Sequence, residues 1–194
     1  EIGVKMKSGA FLHTLSAFKN TQQSGISVPD SKDPSKSWYT LDGENEYKGI
    51  EYSAVGALSD KWDMIFGIAY MDAEKSKTQG GANDGRKVCG IPKWSGDLAL
   101  TYKPDKATKF ISRLNYTGKT RIHDTSSYAM PIGISSITLL DLGASYDTKI
   151  AGYDATITAM CYNVFNKNYW YANGDNAIGL GAPRNFMVTA NFKF

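Results

Sequence analysis

From Arg184 to Phe194 the chain alternates residue by residue. Phe186, Val188, Ala190, Phe192 and Phe194 form one series, and Asn185, Met187, Thr189, Asn191 and Lys193 the other. Successive side chains of a strand point to opposite faces, so a period of two gives a ribbon greasy on one side and polar on the other. The same period recurs along the chain and predicts about nine strands, near residues 2–7, 11–20, 39–58, 62–74, 94–102, 110–118, 137–147, 154–165 and 184–194. The third is expected to bend or bulge near Gly43 or Gly49.

The connections alternate in length. Those at 8–9, 59–61, 104–108 and 148–153 are short, and those at 22–38, 76–93, 119–136 and 166–183 are long. Short turns therefore fall at one end and long loops at the other, as in an up-and-down barrel in an outer membrane. Aromatic placement agrees. Trp62, Met64, Phe66, Ile68 and Tyr70 share a face with rings at both ends, and Tyr102, Tyr116 and Tyr146 close the apolar faces of three other strands, where amphipathic rings sit well at a lipid boundary. The opposite faces carry Asp97, Thr101, Arg113, Asn115, Asp141 and Ser145, which suit a watered lumen. The fold expected is all-β: an antiparallel, up-and-down transmembrane β-barrel wall across residues 1–194.

Other classes are disfavoured. The chain has no run of 18 apolar residues, which argues against helical membrane spans. A net charge of +3 with scattered Lys and Arg gives no basic tract for nucleic acid. Cys89 and Cys161 lack zinc-ligand spacing and are expected to be free thiols, Cys161 on an outward face. His13 sits within an alternating strand, and His123 stands beside Asp124 in a loop. A hydrolase built on that loop would need a nucleophile or a second carboxylate pair, and Ser126 and Ser127 alone do not supply the case. No catalytic residue, metal site or cofactor is expected. Gly179-Leu180-Gly181 lacks the strand-turn-helix setting of a dinucleotide loop and reads as a chance match. Nine strands cannot close a barrel whose end strands pair antiparallel, so further strands are expected, N-terminal to this segment, since the final strand ends the polypeptide. A complete small barrel, adhesive or structural, stays open if residues 39–58 are two strands turning near Glu44-Asn45. A soluble β-sandwich would need the greasy faces to share an interior.

The run Asn163-Val164-Phe165-Asn166-Lys167-Asn168-Tyr169-Trp170, then Gly179-Leu180-Gly181-Ala182-Pro183-Arg184 and the Phe-ended strand, resembles the C-terminus of TonB-dependent siderophore receptors. Tyr47-Lys48-Gly49-Ile50-Glu51, Gly90-Ile91-Pro92-Lys93-Trp94 and Leu140-Asp141-Leu142-Gly143-Ala144 extend the resemblance in order and spacing. It implies the last nine strands of a barrel of roughly 22, its lumen plugged, in the outer membrane of a Gram-negative bacterium. It further implies an N-terminal plug domain that contacts TonB, recognition of the strand ending at Phe194 by the barrel-assembly machinery, and a ferric siderophore as the transported ligand. Trp38, Tyr39, Arg121, Tyr128, Tyr169, Trp170, Tyr171 and Arg184 are the candidate ligand contacts: rings to pack on a chelate's organic scaffold, guanidinium groups to pair with its negative charge. His123 accompanies Arg121 in that loop. Interface anchoring of the rings, loop folding by Tyr128 and strand pairing by Arg184 are the competing structural roles.

Overall fold

The computed structural model describes residues 1–122, 132–173 and 177–194. In chain order the strands are β1 (Ile2–Ser8), β2 (Phe11–Pro29), β3 (Ser37–Ser59), β4 (Trp62–Ser76), β5 (Trp94–Tyr102), β6 (Thr108–Thr117), β7 (Thr120–Arg121), β8 (Gly133–Ile134), β9 (Ile137–Ile150), β10 (Tyr153–Tyr162), β11 (Trp170–Ala172), β12 (Ile178–Leu180) and β13 (Asn185–Lys193). Nine form a single sheet in the order β1-β2-β3-β4-β5-β6-β9-β10-β13, and β7-β8 and β11-β12 are two small ladders in the long loops. All wall pairings are antiparallel. The expected count and order of wall strands are observed.

Register shows why the sequence alternates. One cross-strand row runs Met6, His13, Ala54, Phe66, Leu98, Leu114, Leu140. The row beside it, on the other face, runs Lys5, Thr14, Ser53, Gly67, Asp97, Asn115, Leu139. The first is apolar except for His13, whose Nδ1 lies 2.8 Å from the Tyr52 hydroxyl within the ring cluster of Phe11, Tyr52 and Phe66. That bond meets a polar need on the greasy face, where lipid offers no partner. His13 is thus part of the wall. The second row is mostly polar.

No conventional core lies behind either face. None of the described side chains is fully buried, and Phe186 and Val188 on the outward series are 75% and 71% exposed. A soluble sandwich would bury those rows against one another; a wall facing acyl chains leaves them bare. Aromatic residues mark the two edges of the band. Trp62, Tyr102 and Phe110 adjoin along the short-turn side, with ring centroids 4.7 and 6.4 Å apart. Tyr70 and Trp94 pair at 5.0 Å on the long-loop side. The eight residue steps from Trp62 to Tyr70 cover roughly 27 Å of strand, or about 20 Å of depth at a tilt near 40°, close to the apolar band of such barrels. No helix among the described residues is long and apolar enough to cross a membrane.

Two features depart from the expectation. The connection expected over 22–38 is largely ladder: β2 and β3 stay paired from Phe11↔Gly56 to Pro29↔Ser37. Beyond the membrane both faces meet water, so greasy-polar alternation stops while backbone pairing continues. β3 also runs unbroken through Glu44 and Asn45, which pair with Gln23 and Gln22 on one side and Ser76 and Lys75 on the other. This removes the turn that a ten-stranded small barrel required. The bulge foreseen near Gly43 is present: Ser24 pairs with Gly43 and Ile26 with Thr40, so Leu41 and Asp42 together oppose Gly25.

Neither Cys89, which is buried, nor Cys161, which is partly buried, forms a disulfide. Cys161 pairs with Leu142 and Phe186 on the outward face, as expected. The sheet is open, with β1 and β13 at its edges.

Candidate functional site at the long-loop mouth

Above the Tyr70-Trp94 line the β4 strand outlasts β5, and the loop after it folds back along the uncovered edge. Lys75 N–H donates to Arg86 O at 2.7 Å, Val88 N–H to Ala73 O at 3.0 Å and Met71 N–H to Lys93 O at 2.9 Å. Lys87 thereby stands opposite Glu74. Its ammonium donates to Asp72 at 2.5 Å and to Glu74 at 2.7 Å. Burial opposes charge on Lys87, yet the two carboxylates outweigh it and hold the ammonium above its ordinary pKa.

Three long loops meet at one glycine. Gly90, at φ 77°, donates its N–H to Arg121 O at 2.8 Å, joining the β4–β5 loop to β7. Ala172 of β11 packs on it so closely that an added Cβ would lie 3.2 Å from the Ala172 methyl. Between the first two loops lies a cleft of about 860 Å³, bordered by Met71, Ala73, Trp94 and Tyr116 and by five cations, Arg86, Lys87, Lys93, Lys119 and Arg121, with Asp72 the one carboxylate among its lining residues. Among the described residues no group of His, Cys, Asp or Glu side chains could hold a metal ion.

The β10–β13 connection is held by asparagines. Asn163, buried and at φ 49°, donates from Nδ2 to Lys167 O and Ala182 O, while its Oδ1 accepts from Lys167 N–H, all within 3.0 Å. Its own N–H donates to Asp141. Asn166, also at positive φ, accepts Arg184 N–H at 2.9 Å, and the Arg184 guanidinium donates to Val164 O at 3.3 Å. The Asn-Val-Phe-Asn-Lys run is therefore a latch between the end of β10 and the start of β13.

The structure distributes the candidate residues over separate places. Arg121 borders the cleft, and Trp170 and Tyr171 sit on β11 beside its Gly90 corner. Trp38 and Tyr39 belong to the tall β2–β3 hairpin instead. Tyr128, His123, Asp124, Ser126 and Ser127 lie outside the described residues. Three tyrosines lean on glycines: the rings of Tyr39, Tyr169 and Tyr171 occupy the space a side chain would need at Gly25, Gly181 and Gly179. Such coverage restores packing where glycine leaves a strand bare. The Gly-Leu-Gly run, no dinucleotide loop, is the complement of Tyr-Trp-Tyr, and the signal for that packing was glycines and rings at matching spacing. Arg184 serves the latch. Sequence reading overlooked Arg86, Lys93 and Lys119, although the bunching of cations at 86–93 and 119–121 was visible.

A two-faced antiparallel wall with tight turns at one end and an interlocked loop mouth at the other defines a segment of an outer-membrane β-barrel. Residues 1–164 match the family described as TonB dependent receptor-like, beta-barrel, and the chain belongs to that family. All of it aligns with the ferrichrome receptor FcuA of Yersinia enterocolitica at 26% identity, covering 25% of that protein. It also aligns with the metal-pseudopaline receptor CntO of Pseudomonas aeruginosa at 27%, covering 27%. Among solved structures it is similar to BauA, the ferric preacinetobactin receptor of Acinetobacter baumannii, with TM-score 0.80 and 32% identity over 99% of this chain and 28% of that one. The chain thus spans about a quarter of the length of these relatives. The family places the wall in the outer membrane of Gram-negative bacteria.

Proposed function

We propose that this chain is the C-terminal wall and part of the outer vestibule of a TonB-dependent receptor that takes up a ferric siderophore across the outer membrane. The observation that carries the reading is the junction of three long loops at Gly90 around an open cleft, on a wall of the receptor family whose similar members are named for ferric and metal chelates. Iron enters as cargo within its chelate, and no bond of the ligand need break, so the protein is not an enzyme. Trp38, Tyr39, Arg121, Tyr128, Tyr169, Trp170, Tyr171 and Arg184 are proposed to contribute to ligand contact, with Arg121, Trp170 and Tyr171 best supported by their place at the loop junction. The polar inner rows suit a plug domain N-terminal to this segment, through which TonB would act. The strand ending at Phe194 is proposed to guide recognition by the barrel-assembly machinery. Deleting the whole receptor gene from an iron-starved strain should abolish growth on at least one ferric siderophore, and radio-iron uptake should stop when TonB is also removed. Unchanged uptake across a panel of chelates would overturn the reading.

A further inference from the structure

Two hollows meet on the outward face of β5 and β6, one at the depth of lipid tails and the other above it. The lower, of about 550 Å³, has Gly96 at its floor. In the outward row Ile68, Gly96, Tyr116 only the glycine lacks a side chain, and Phe66, Leu98 and Leu114 close the notch from below. Ser95 and Asp97 border it from strand positions that face inward. The upper hollow is the cleft of about 860 Å³ at the loop mouth. It is lined from both faces: Met71 and Ala73 belong to the inner set, and Asp72, Lys87, Trp94 and Tyr116 to the outer. Trp94 and Tyr116 line both hollows, so the two are continuous around those rings. The lower part is apolar, whereas the upper has five cations to one carboxylate among its described lining residues. Lys87 is held by Asp72 and Glu74, and Arg86 and Arg121 also have partners. Lys93 and Lys119 are exposed, at the lip where β5 and β6 end and no sheet divides the two faces. Further strands of the barrel would join at β1 and β13, the edges of the sheet, and extend the wall sideways, so this face stays open to the bilayer.

We infer that the joined hollows seat a phosphorylated lipid of the outer leaflet, its phosphate against Lys93 and Lys119 and one acyl chain in the notch at Gly96. The inference goes beyond the siderophore reading and concerns the lipid side of the wall. Tyr70 and Trp94 mark the boundary of the apolar band, so a phosphate at the strand ends meets the surplus of positive charge at the depth where headgroups begin. Lysine stems run along apolar surface and deliver their ammonium groups to that level. A chain lying in the notch gains contacts on three sides that a filled wall does not offer. Each half alone is unselective, since the notch accepts any chain and the cations any anion. An amphiphile with an anionic head satisfies both, whereas a neutral lipid leaves the cations unmatched and a soluble phosphate leaves the notch unfilled.

The test uses the full-length receptor in phosphatidylcholine vesicles doped either with a phosphatidic acid carrying brominated acyl chains or with phosphatidylcholine brominated in the same way. Quenching that depends on Trp94, read as the difference between the receptor and its Trp94→Phe variant, should reach half-maximum at about tenfold lower content of the phosphatidic acid. Lys93→Gln combined with Lys119→Gln should erase most of that preference and leave quenching by the brominated phosphatidylcholine unchanged. Both lysines are exposed, so heat-modifiable migration of the barrel should be unaltered in the double variant. Inorganic phosphate and a dibutyryl phosphatidic acid share the headgroup chemistry without the long chain, and neither should reverse the quenching at millimolar concentration. Equal quenching by the two brominated lipids overturns the proposal. A preference that survives in the double variant overturns the role of these lysines, and reversal by inorganic phosphate overturns the lipid in favour of a soluble anion. None of these readouts involves iron uptake, so the siderophore reading stands or falls separately.

Discussion

Asn163 shows how much one side chain can organise. At φ 49° its backbone lies where most residues are strained, and its amide satisfies three backbone groups across the β10–β13 connection. Asparagine tolerates that conformation and glycine does so freely, whereas alanine incurs about 1–2 kcal/mol. Asn163→Gly should therefore expose the cost of the lost hydrogen bonds alone, about 1–3 kcal/mol, and Asn163→Ala should be worse than glycine by the conformational increment. Urea unfolding of the micelle-embedded receptor measures both; equal stability of the two variants would show that the φ at 163 carries no strain. The role was only half legible in the sequence. The Asn-Val-Phe-Asn run marked the family, but the contacts of Asn163 with Ala182 and of Asn166 with Arg184 join residues 18 or 19 apart, which no local pattern specifies.

Among the elements, the β2–β3 hairpin is the one whose extent composition concealed. Within the membrane, greasy-polar alternation gave its strands away; above it, residues 21–29 and 37–43 keep the ladder without the pattern. The bulge there changes which parity of β3 faces the mouth. Below it the inward residues of β3 are odd-numbered, as at Asn45 and Tyr47; above it Thr40 and Trp38 pair with Ile26 and Val28 and take the inward side, leaving Tyr39 outward over Gly25. A bulge re-aims side chains by adding one residue to one strand. Deleting Asp42 should remove the bulge, set Leu41 alone opposite Gly25 and keep Trp38 inward and Tyr39 outward, because Thr40 still meets Ile26. Cysteines placed at 38 and 39 would report it: with or without the deletion, a labelled 38 should be protected by bound chelate and a labelled 39 should not. Exchange of the two on deletion would show that the hairpin slips by one residue instead. Loop geometry of this kind, like the Tyr-over-Gly packing of β11 and β12, depends on register between partners and so escaped a reading of single segments.

At the scale of the whole molecule, the sheet is a boundary between two solvents, and most of it was readable because each solvent writes on alternate residues. The four tryptophans sample it at different heights. Trp62 and Trp94 stand in the two aromatic lines, whereas Trp38 and Trp170 belong to the mouth. In the intact receptor reconstituted with brominated lipids, Trp62→Phe and Trp94→Phe should each remove part of the quenched fluorescence, while Trp38→Phe and Trp170→Phe should remove only unquenched signal. Quenching carried by Trp38 or Trp170 would place the hairpin or β11 in lipid and refute the assigned depth. Depth also bears on what the cell shows to its surroundings. From Lys19 to Pro29 the ladder continues for roughly 34 Å along the strand beyond the charged edge of the band, and a paired ribbon holds its shape better than a slack loop. An antibody approaching from outside would meet the tip at 30–36 before the rest of this hairpin, which makes that short turn the natural epitope for tagging or blocking this receptor.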